Sequence, residues 1–291
     1  MNNFTSWWQN LPSVMNPKIF SIGAFPVMWY SMMYLVAFTI AYLLMKLRIT
    51  RGEKPGAMTA EDLKKNTEDF FYQGVLGIII GARMGFVLFY DFAWFMQEPW
   101  KIILPFSLEG GFTYTGLSGM SYHGGLAGLM LAFLLFCRKR RIPMLEWTDF
   151  MAPCIPVAYF FGRVGNFING ELYGRMTGVS WGMYFKDDSG VFYNYLRHPS
   201  QVYEALFEGI ILFFILWPLR NRMKTGGITA LYFLGYGTFR FVIEFFREPD
   251  PQLGFILGPF SMGQMLCSFM IIAGIIILKY NKTKSHGSIK S

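Results

Sequence analysis

The sequence predicts an all-α integral membrane protein with about seven membrane-spanning helices. Three observations predict it: 53% hydrophobic residues against only 15% charged ones, seven separate apolar stretches, and positive charge that follows alternate stretches. A typical soluble domain carries about 25% charged residues, so this chain lacks the charge that a water-exposed surface needs. The whole chain, residues 1–291, is predicted to be a single polytopic membrane domain.

Each apolar stretch approaches the length needed to cross a hydrocarbon core about 30 Å thick. The third stretch is short, and the fourth contains Pro153 and Pro156, so their ends are poorly defined. Periodicity alone does not separate a buried core helix from a spanning one, but seven such stretches between basic or loop residues favour a membrane. The predicted spans are residues 26–45, 70–90, 122–137, 146–165, 200–219, 228–246 and 261–278.

The placement of the basic residues predicts the orientation of the chain. Lysine and arginine cluster after the first, third and fifth spans and in the C-terminal tail, and are sparse in the other loops. Because basic residues are enriched in cytoplasmic loops, we expect the N-terminus outside and the C-terminus inside. The formal net charge of +8 is therefore a topology signal and not a sign of nucleic-acid binding. No cleavable signal peptide is evident, so the first helix is expected to remain as an anchor.

Two predicted outside segments are longer than tight connections. Residues 91–121 contain a glycine-rich run and are expected to form an arm, and residues 166–199, with a turn at 187–188, are expected to form a small head. On the inside, Thr59 and Asp62 indicate a helix start, which we interpret as a short amphipathic connector before the second span.

Polar side chains within the spans converge on one depth. Charged groups inside a bilayer cost about 2.5–3.5 kcal/mol each on insertion scales, so they suggest function. Scattered structural ion pairs would not share a depth, whereas seven residues on six predicted helices all fall in the outer leaflet. They are Tyr30, Arg83, His123, Arg163, Glu204, Arg240 and Glu244.

Several of these residues also have structural interpretations. Arg240, Glu244 and Arg247 have helical i,i+4 and i,i+3 spacing and could form a self-neutralising ladder, although one glutamate cannot neutralise two arginines. Glu204 and Glu208 share a helix face, and Glu204 could serve only to pair with an arginine. The spacing leaves structural and catalytic roles open for both.

Other polar and small residues point to packing. Gly77, Gly81 and Gly85 repeat every four residues, which predicts close helix contact. Asp149, near the inner end of the fourth span, is expected to serve a helix start. His123 is followed by two glycines that open space around it, which favours a functional role. With three histidines and three cysteines at no ligand spacing, neither a metal site nor a disulfide is expected.

The densest motif is GRVGNFINGELYG at residues 162–174. It places Arg163, Asn166, Asn169 and Glu171 around a turn at a helix end. One interpretation is a glycine-rich turn with side-chain caps. The other is a phosphate site, because arginine and asparagine donors can hold phosphate oxygens in pairs.

Together these residues resemble the bacterial prolipoprotein diacylglyceryl transferase family. Residues 162–174 fit its signature, G-R-x-G-N-F-x-N-x-E-x-x-G, at every fixed position. The stretch between residues 108 and 121 is longer than the family pattern and 175–196 is shorter, which bears on the outside segments and not on the reaction. Further matches over nearly the whole chain are WY at 29–30, GARMGFVLFY at 81–90, HGGL at 123–126, RHPSQ at 197–201, GYGTFRFVIEFFREPD at 235–250 and SMGQ at 261–264.

The resemblance implies an enzyme of the bacterial inner membrane with its active site toward the periplasmic face. Such an enzyme transfers the sn-1,2-diacylglyceryl group of phosphatidylglycerol to the thiol of the lipobox cysteine in a prolipoprotein signal peptide. A thioether forms and glycerol phosphate is released, as the first step of lipoprotein maturation. The implied partners are these two substrates and membrane lipid, with no nucleic acid, metal or organic cofactor.

The resemblance also implies roles for individual residues. Arg163 and Arg240 would bind the phosphate and stabilise its charge, and His123 would accept the thiol proton. Alternatively, Arg163 with a carboxylate assists proton removal and His123 only positions the substrate. The implied substrate-binding residues are Tyr30, Arg83, Asn166, Asn169, Glu171, Glu204, Glu244 and Arg247.

Two other functions compete with the transferase. An intramembrane anion or lipid transporter predicts charges in both leaflets and an inverted repeat, and the sequence has neither. A structural scaffold leaves the shared depth and the motif at residues 162–174 unexplained.

Overall fold

The computed structural model describes residues 3–23, 25–56, 58–103, 106–107, 113–114, 119–187, 189–248, 255–257 and 260–287. The helices are α1 (Asn3–Gln9), α2 (Leu11–Val14), α3 (Trp29–Thr50), α4 (Ala60–Phe89), α5 (Phe92–Gln97), α6 (Tyr122–Arg140), α7 (Met144–Met151), α8 (Ile155–Asn169), α9 (Ser200–Glu204), α10 (Leu212–Leu219), α11 (Gly227–Ile243) and α12 (Met262–Gly287). A π-helical turn, Ala205–Ile211, makes α9 and α10 continuous. Short antiparallel pairs are β1 (Lys18–Ile22) with β2 (Phe25–Met28), β3 (Phe106–Ser107) with β4 (Thr113–Tyr114), and β5 (Phe255–Leu257) with β6 (Phe260–Ser261).

The described chain contains helices suited to a membrane. Four segments are long and apolar enough to cross a bilayer: Trp29–Thr50, Ala60–Phe89, Ser200–Leu219 and Met262–Tyr280. Helix α11, with 17 residues, is apolar but shorter. Helix α6 has 19 residues, but it includes His123 near one end and Arg138 to Arg140 at the other. A mostly helical membrane protein is therefore confirmed, and the count of seven spans stays a prediction.

The predicted fourth span, residues 146–165, is not one helix. Helix α7 ends at Met151, a 3₁₀ turn covers Ala152–Cys154, and α8 then continues to Asn169. Pro153 and Pro156 explain the break, because proline lacks an N–H donor and its ring clashes with the preceding turn.

The first two predicted spans differ from the structure at their N-terminal ends. Residues 26–28 lie in β2, so α3 begins only at Trp29. Helix α4 begins after Thr59, whose Oγ1 accepts a hydrogen bond from Asp62 N at 3.1 Å, so the predicted helix start is confirmed. The separate short connector is wrong, because neither proline nor glycine interrupts residues 60–70 and one 30-residue helix runs through to Phe89.

The chain forms two compact units, Met1–Pro55 with Thr148–Ser291, and Gly56–Trp147. In the larger unit α3 packs on α8, α8 packs on the π-helical turn, and α11 packs on α12. Leu212, Leu216 and Ile228 are almost fully buried at its core. These contacts fix the helices that carry most of the predicted site residues.

A buried ion-pair network, the Glu53 brace, joins the end of α3 to the end of α10. Arg48 Nε lies 2.8 Å from Glu53 Oε2, and Arg220 Nη2 lies 2.7 Å from Glu53 Oε1. Arg48 Nη1 also donates to the carbonyl oxygen of Phe150 at 2.5 Å. Burial raises the pKa of Glu53, but the hydrogen bonds from the two arginines outweigh it, so the pKa lies below its usual value.

Asp149 serves the start of a helix, as predicted, but the helix is α11 and not its own. Its carboxylate accepts hydrogen bonds from Gly226 N at 2.5 Å, Thr229 N at 2.7 Å and Thr229 Oγ1 at 2.6 Å. A carboxylate is favourable there because the first N–H groups of a helix lack partners inside the helix.

The smaller unit is built on close contact between α4 and α6. A Cβ atom at Gly77 would lie 2.7 Å from Gly128 O, and one at Gly85 would lie 2.7 Å from Gly124 Cα. Only glycine allows the two backbones to approach so closely. The packing role predicted for the glycine repeat is thereby confirmed.

Parts of both outside segments are described. In the predicted arm, the structure includes α5, a 3₁₀ turn at Pro99–Ile102 and the β3–β4 pair, whereas most of its glycine-rich run lies outside the described residues. In the predicted head, Asp187 accepts hydrogen bonds from Ser189 Oγ at 2.6 Å and Val191 N at 3.0 Å, which lower its pKa. These bonds form the predicted turn around Asp187; Asp188 lies outside the described residues.

Candidate functional site

Glu204 is the centre of a buried charge cluster in the larger unit. It is 0% exposed, and its Oε2 lies 2.5 Å from Arg163 Nε and accepts a hydrogen bond from the Tyr159 hydroxyl at 3.2 Å. Its Oε1 lies 2.8 Å from Arg240 Nη1, an ion pair without the alignment of a hydrogen bond. One carboxylate from α9 therefore holds an arginine from α8 and another from α11.

The end of α11 adds a second carboxylate. Glu244 Oε2 lies 3.1 Å from Arg240 Nη2 and 3.7 Å from Arg247 Nη1, which is the helical ladder that the spacing predicted. Ser261 Oγ donates to Glu244 Oε1 at 3.0 Å. Arg247 Nε also lies 3.9 Å from Glu204 Oε1, so the ladder is joined to the Glu204 pairs.

We call this set the arginine–glutamate cluster. Its arginines are held by buried carboxylates, so their positions are fixed before any ligand binds. Planar guanidinium groups fixed in this way suit paired hydrogen bonds to an anion such as phosphate. The cluster consists of Arg163, Glu204, Glu208, Arg240, Glu244 and Arg247.

The motif at residues 162–174 continues the cluster along one side of α8. Arg163 Nη1 donates to Asn166 Oδ1 at 3.2 Å, and Asn166 Nδ2 donates to Glu171 Oε1 at 2.8 Å. Tyr30 of α3 lies beside this part of α8, because a Cβ atom at Gly165 would lie 3.4 Å from Tyr30 Cδ2. Helix α8 ends where Gly170 adopts a left-handed φ of 71°, which lets the chain turn back and bring Glu171 to Asn166.

Comparison with known proteins identifies the family to which the motif and the rest of the chain belong. The sequence profile of the prolipoprotein diacylglyceryl transferase family matches residues 17–280. The chain belongs to this family.

Individual relatives agree over nearly their full length. The chain is 49% identical over 290 residues to a phosphatidylglycerol–prolipoprotein diacylglyceryl transferase of Chlorobaculum tepidum, covering 99% of this chain and 97% of that protein. Proteins of the same name from Pseudoalteromonas translucida and Bordetella avium are each 41% identical, over 95% and 93% of this chain and 97% and 96% of theirs. The chain is thus an enzyme of the diacylglyceryl transferase family along its whole length.

The last residue of the diacylglyceryl transferase signature, Gly174, lies where only glycine fits. Its N–H donates to His198 O at 2.7 Å, and a Cβ atom there would lie 2.7 Å from His198 Cβ. The next residue, Arg175, donates from N to Phe246 O at 2.9 Å and from Nε to Arg247 O at 2.8 Å. The signature is thereby attached to the segment that carries Arg247.

Aromatic rings and hydrogen bonds hold Arg197 in place near the end of the head. The Arg197 guanidinium lies 4.6 Å from the ring centres of both Tyr173 and Tyr193. Its Nε donates to Gly174 O at 2.9 Å, and its Nη2 donates to Glu248 Oε2 at 2.6 Å. Arg197 therefore joins the signature to the residue after Arg247, a role that the RHPSQ match alone did not reveal.

The remaining signature residues lie at the turn after α8. Asn169 is the last residue of α8 and is half-buried. The backbone carbonyl of Glu171 accepts a hydrogen bond from Gln201 Nε2 at 2.6 Å, and Ser200 Oγ donates to Leu172 O at 2.9 Å. The first turn of α9 thus holds the signature turn in place.

Arg83, predicted to bind substrate, lies in the smaller unit. Its Nε donates to Ile102 O at 2.8 Å, its Nη2 to Lys101 O at 2.6 Å and its Nη1 to Gly119 O at 3.2 Å. The guanidinium also lies 4.9 Å from the ring centre of Phe95. These contacts give Arg83 a role in holding the arm backbone, and its role with substrate stays a prediction.

His123, the predicted base, also lies in the smaller unit. It is the second residue of α6, it is exposed, and the helix is capped by Ser121 Oγ, which accepts a hydrogen bond from Gly124 N at 3.2 Å. Its catalytic role stays a prediction. Within the described part of the chain, no group of three or more His, Cys, Asp or Glu side chains is placed to hold a metal ion.

Sequence reasoning missed two residues of the cluster region. Tyr159 donates to Glu204, and Arg163 Nε donates to the Tyr159 hydroxyl at 2.7 Å, four residues along α8. Ser261, which holds Glu244, was noted only within the SMGQ match. The four-residue spacing of Tyr159 and Arg163 was a usable signal, because such residues face the same side of a helix.

Proposed function

We propose that this enzyme transfers the diacylglyceryl group of phosphatidylglycerol to the thiol of a prolipoprotein lipobox cysteine. The names of its relatives support both substrates. The observation that carries the proposal is the pair of arginines, Arg163 and Arg240, held by the single buried carboxylate of Glu204. Such a pair suits the one charged group of the lipid, its phosphodiester.

In the proposed reaction the cysteine sulfur attacks the glyceryl carbon that bears the phosphate. A C–S bond forms, the C–O bond to phosphate breaks, and its electron pair leaves with glycerol phosphate. The leaving group changes from a phosphodiester monoanion to a phosphate monoester, so negative charge grows beside Arg163 and Arg240. Fixed donors placed where charge develops are an effective way to lower the barrier.

The thiol proton needs an acceptor, because a free cysteine has a pKa of about 8.5 and is mostly protonated at neutral pH. We assign this role to His123, since histidine has a reference pKa of about 6.5 and suits proton transfer near neutrality. The alternative is removal of the proton by Arg163 acting with a carboxylate, with His123 positioning the substrate.

The other predicted residues orient the lipid headgroup or hold the arginines. We assign contact with the headgroup to Asn166, Asn169, Glu171 and Tyr30. The hydrogen bonds that join Arg163 to Asn166 and Asn166 to Glu171 support the assignment of Asn166 and Glu171. Glu204 and Glu244 hold the arginines. Arg83 and Arg247 complete the proposed binding set.

We further propose that all seven predicted segments cross the bacterial inner membrane, with the N-terminus outside and the active site toward the periplasmic face. The four long apolar helices and the shorter α11 support this arrangement. The arm at residues 91–121 and the head at residues 166–199 would then lie outside the bilayer, where a prolipoprotein substrate approaches.

The test uses purified protein in detergent with phosphatidylglycerol and a lipobox peptide. Wild type should release glycerol phosphate and increase the peptide mass by one diacylglyceryl group, and a peptide with serine in place of cysteine should not react. Arg163→Ala should abolish both signals, whereas Arg222→Ala, at an exposed loop residue, should leave them unchanged. If folded wild type gives neither signal, the proposal fails and anion or lipid transport becomes the hypothesis to test.

A further inference from the structure

Glu208 is a buried carboxylate that the proposed reaction does not use. It is 0% exposed, and Arg240 Nη1 lies 4.0 Å from its Oε1. Neither of its oxygens receives a hydrogen bond from the described residues. A buried charge without donors is costly, so its presence in the cluster needs an explanation.

The backbone, and not a hydrogen bond, places Glu208 in the cluster. It lies in the π-helical turn Ala205–Ile211, a rare conformation that is frequent at functional sites. The next residue, Gly209, packs so closely on α8 that a Cβ atom would lie 2.8 Å from Phe160 Cβ. The turn is therefore pressed against α8 and carries the Glu208 side chain inward.

The charges of the arginine–glutamate cluster balance when every group is ionised. Three arginines and three glutamates contribute equal and opposite charge. A phosphodiester headgroup adds one negative charge to this dry environment, where unbalanced charge is costly. Binding the headgroup is therefore easier if one carboxylate takes up a proton at the same time.

The three carboxylates differ in how strongly their contacts favour the ionised form. Glu204 has arginine nitrogens at 2.5 and 2.8 Å and the Tyr159 hydroxyl at 3.2 Å. Glu244 has Arg240 at 3.1 Å and the Ser261 hydroxyl at 3.0 Å. Glu208 has one ion pair, with Arg240 at 4.0 Å, and neither of its oxygens accepts a well-formed hydrogen bond from the described residues. Protonation of Glu208 therefore costs fewer favourable contacts than protonation of Glu204 or Glu244.

The charged and titratable groups around Glu208 agree with this ranking. They come from each helix packed on the π-helical turn: α8, α9 and α11, while α10 has no titratable side chain. An acidic neighbour on one side and a shared arginine on the other leave Glu208 without a counter-ion of its own. The groups are Tyr159 and Arg163 on α8, Glu204 on α9, and Tyr236 and Arg240 on α11.

We propose that Glu208 is a positioning residue that takes up one proton when an anionic lipid headgroup binds the cluster. The neutral acid then removes one negative charge from beside Arg240, so the charge of the bound phosphate is balanced while Glu204 and Glu244 keep Arg240 in place. The proton comes from solvent and returns when the product leaves; no lipid bond changes in this step. The inference rests on the proposed function for the identity of the ligand.

The experiment is a titration of the full-length protein in detergent with phosphatidylglycerol over a range of pH. A phosphodiester does not titrate near neutrality, so binding that requires one proton should weaken about tenfold for each unit of pH rise over the range in which Glu208 is ionised before the lipid binds. Glu208→Gln mimics the neutral acid, so it should bind the lipid at high pH as tightly as wild type does at low pH. Its binding should be nearly independent of pH.

Direct measurement of proton uptake tests the same idea without a variant. In weakly buffered solution with a pH indicator, phosphatidylglycerol should remove about one proton per protein from solution, and diacylglycerol, which lacks the phosphate, should remove none. Wild type that binds without proton uptake, or a folded Glu208→Gln variant that keeps the wild-type pH dependence, would overturn the inference. Wild type that does not bind phosphatidylglycerol at any pH would instead overturn the proposed function.

Discussion

At the scale of single residues, Glu204 in the proposed site and Glu53, far from it along the chain, each hold two arginines. Glu204 holds Arg163 and Arg240, and Glu53 holds Arg48 and Arg220. The two make a matched pair of substitutions, because each leaves two buried guanidinium groups without their shared carboxylate. Breaking such a pair costs about 3–5 kcal/mol of stability in either place.

Activity should separate the two variants. Glu204→Gln should reduce glycerol phosphate release per folded molecule by about 10²-fold or more, because the two phosphate-binding arginines lose their fixed positions. Glu53→Gln should keep most of that activity while unfolding at lower temperature. Equal activity losses in the two folded variants would show that the loss of Glu204 acts through stability and not through the site.

The pH dependence of folding stability should show the effect of the lowered pKa of Glu53. Its folded pKa lies below the unfolded value of about 4.3, so as pH falls the unfolded chain binds the proton first. The ionised Glu53 therefore contributes its full share of folding stability above its unfolded pKa. That contribution is lost as the pH falls through its folded pKa. The gap in unfolding midpoint between wild type and Glu53→Gln should therefore shrink over this acidic range. A gap that stays constant with pH would contradict the assignment.

The sequence could predict single residues of the candidate site but not which of them form ion pairs with each other. The i,i+4 ladder of Arg240 and Glu244 was visible because it is local. The Glu204 contacts with Arg163 and Arg240 join residues 41 and 36 positions apart, and only the packed helices bring them together. The isolation of Glu208 depends on a π-helical turn that no residue pattern indicated.

At the scale of elements, glycine and proline decided where prediction succeeded. The glycine repeat predicted close helix contact, which the structure shows between α4 and α6. The prolines indicated that the ends of the fourth span were poorly defined, but not that the span divides into α7 and α8. The predicted connector failed because helix α4 has no breaker near its start and simply extends the second span.

Two glycines of α6 provide a test of the helix contact. A Cβ atom at Gly128 would lie 2.9 Å from Gly81 Cα, whereas at Gly125 its nearest neighbour would be Ala82 Cβ at an ordinary 3.4 Å. Gly128→Ala should therefore cost about 1–3 kcal/mol through overpacking. Gly125→Ala should be neutral or should stabilise the helix by up to about 1 kcal/mol. Thermal unfolding in detergent measures both; similar effects of the two changes would contradict the contact.

At the scale of the whole molecule, composition and charge placement predicted the class of protein before any motif was considered. The common depth of seven polar residues in the membrane stays a prediction. Within the larger unit, five of the six residues of the arginine–glutamate cluster are joined by ion pairs at 3.9 Å or less. The division into two compact units was not predictable, because residues 56–147 carry the same apolar composition as the rest of the chain.

The proposed topology can be tested with single cysteines and a membrane-impermeant maleimide. The three native cysteines are buried, so they should give little background. Ser13 and Lys224 are both exposed, and five predicted spans separate them. Ser13→Cys should therefore react in intact spheroplasts, and Lys224→Cys only after the membrane is opened. Reaction of both from outside would exclude an odd number of spans between them, and the reverse pattern would invert the proposed orientation and place the cluster at the cytoplasmic face.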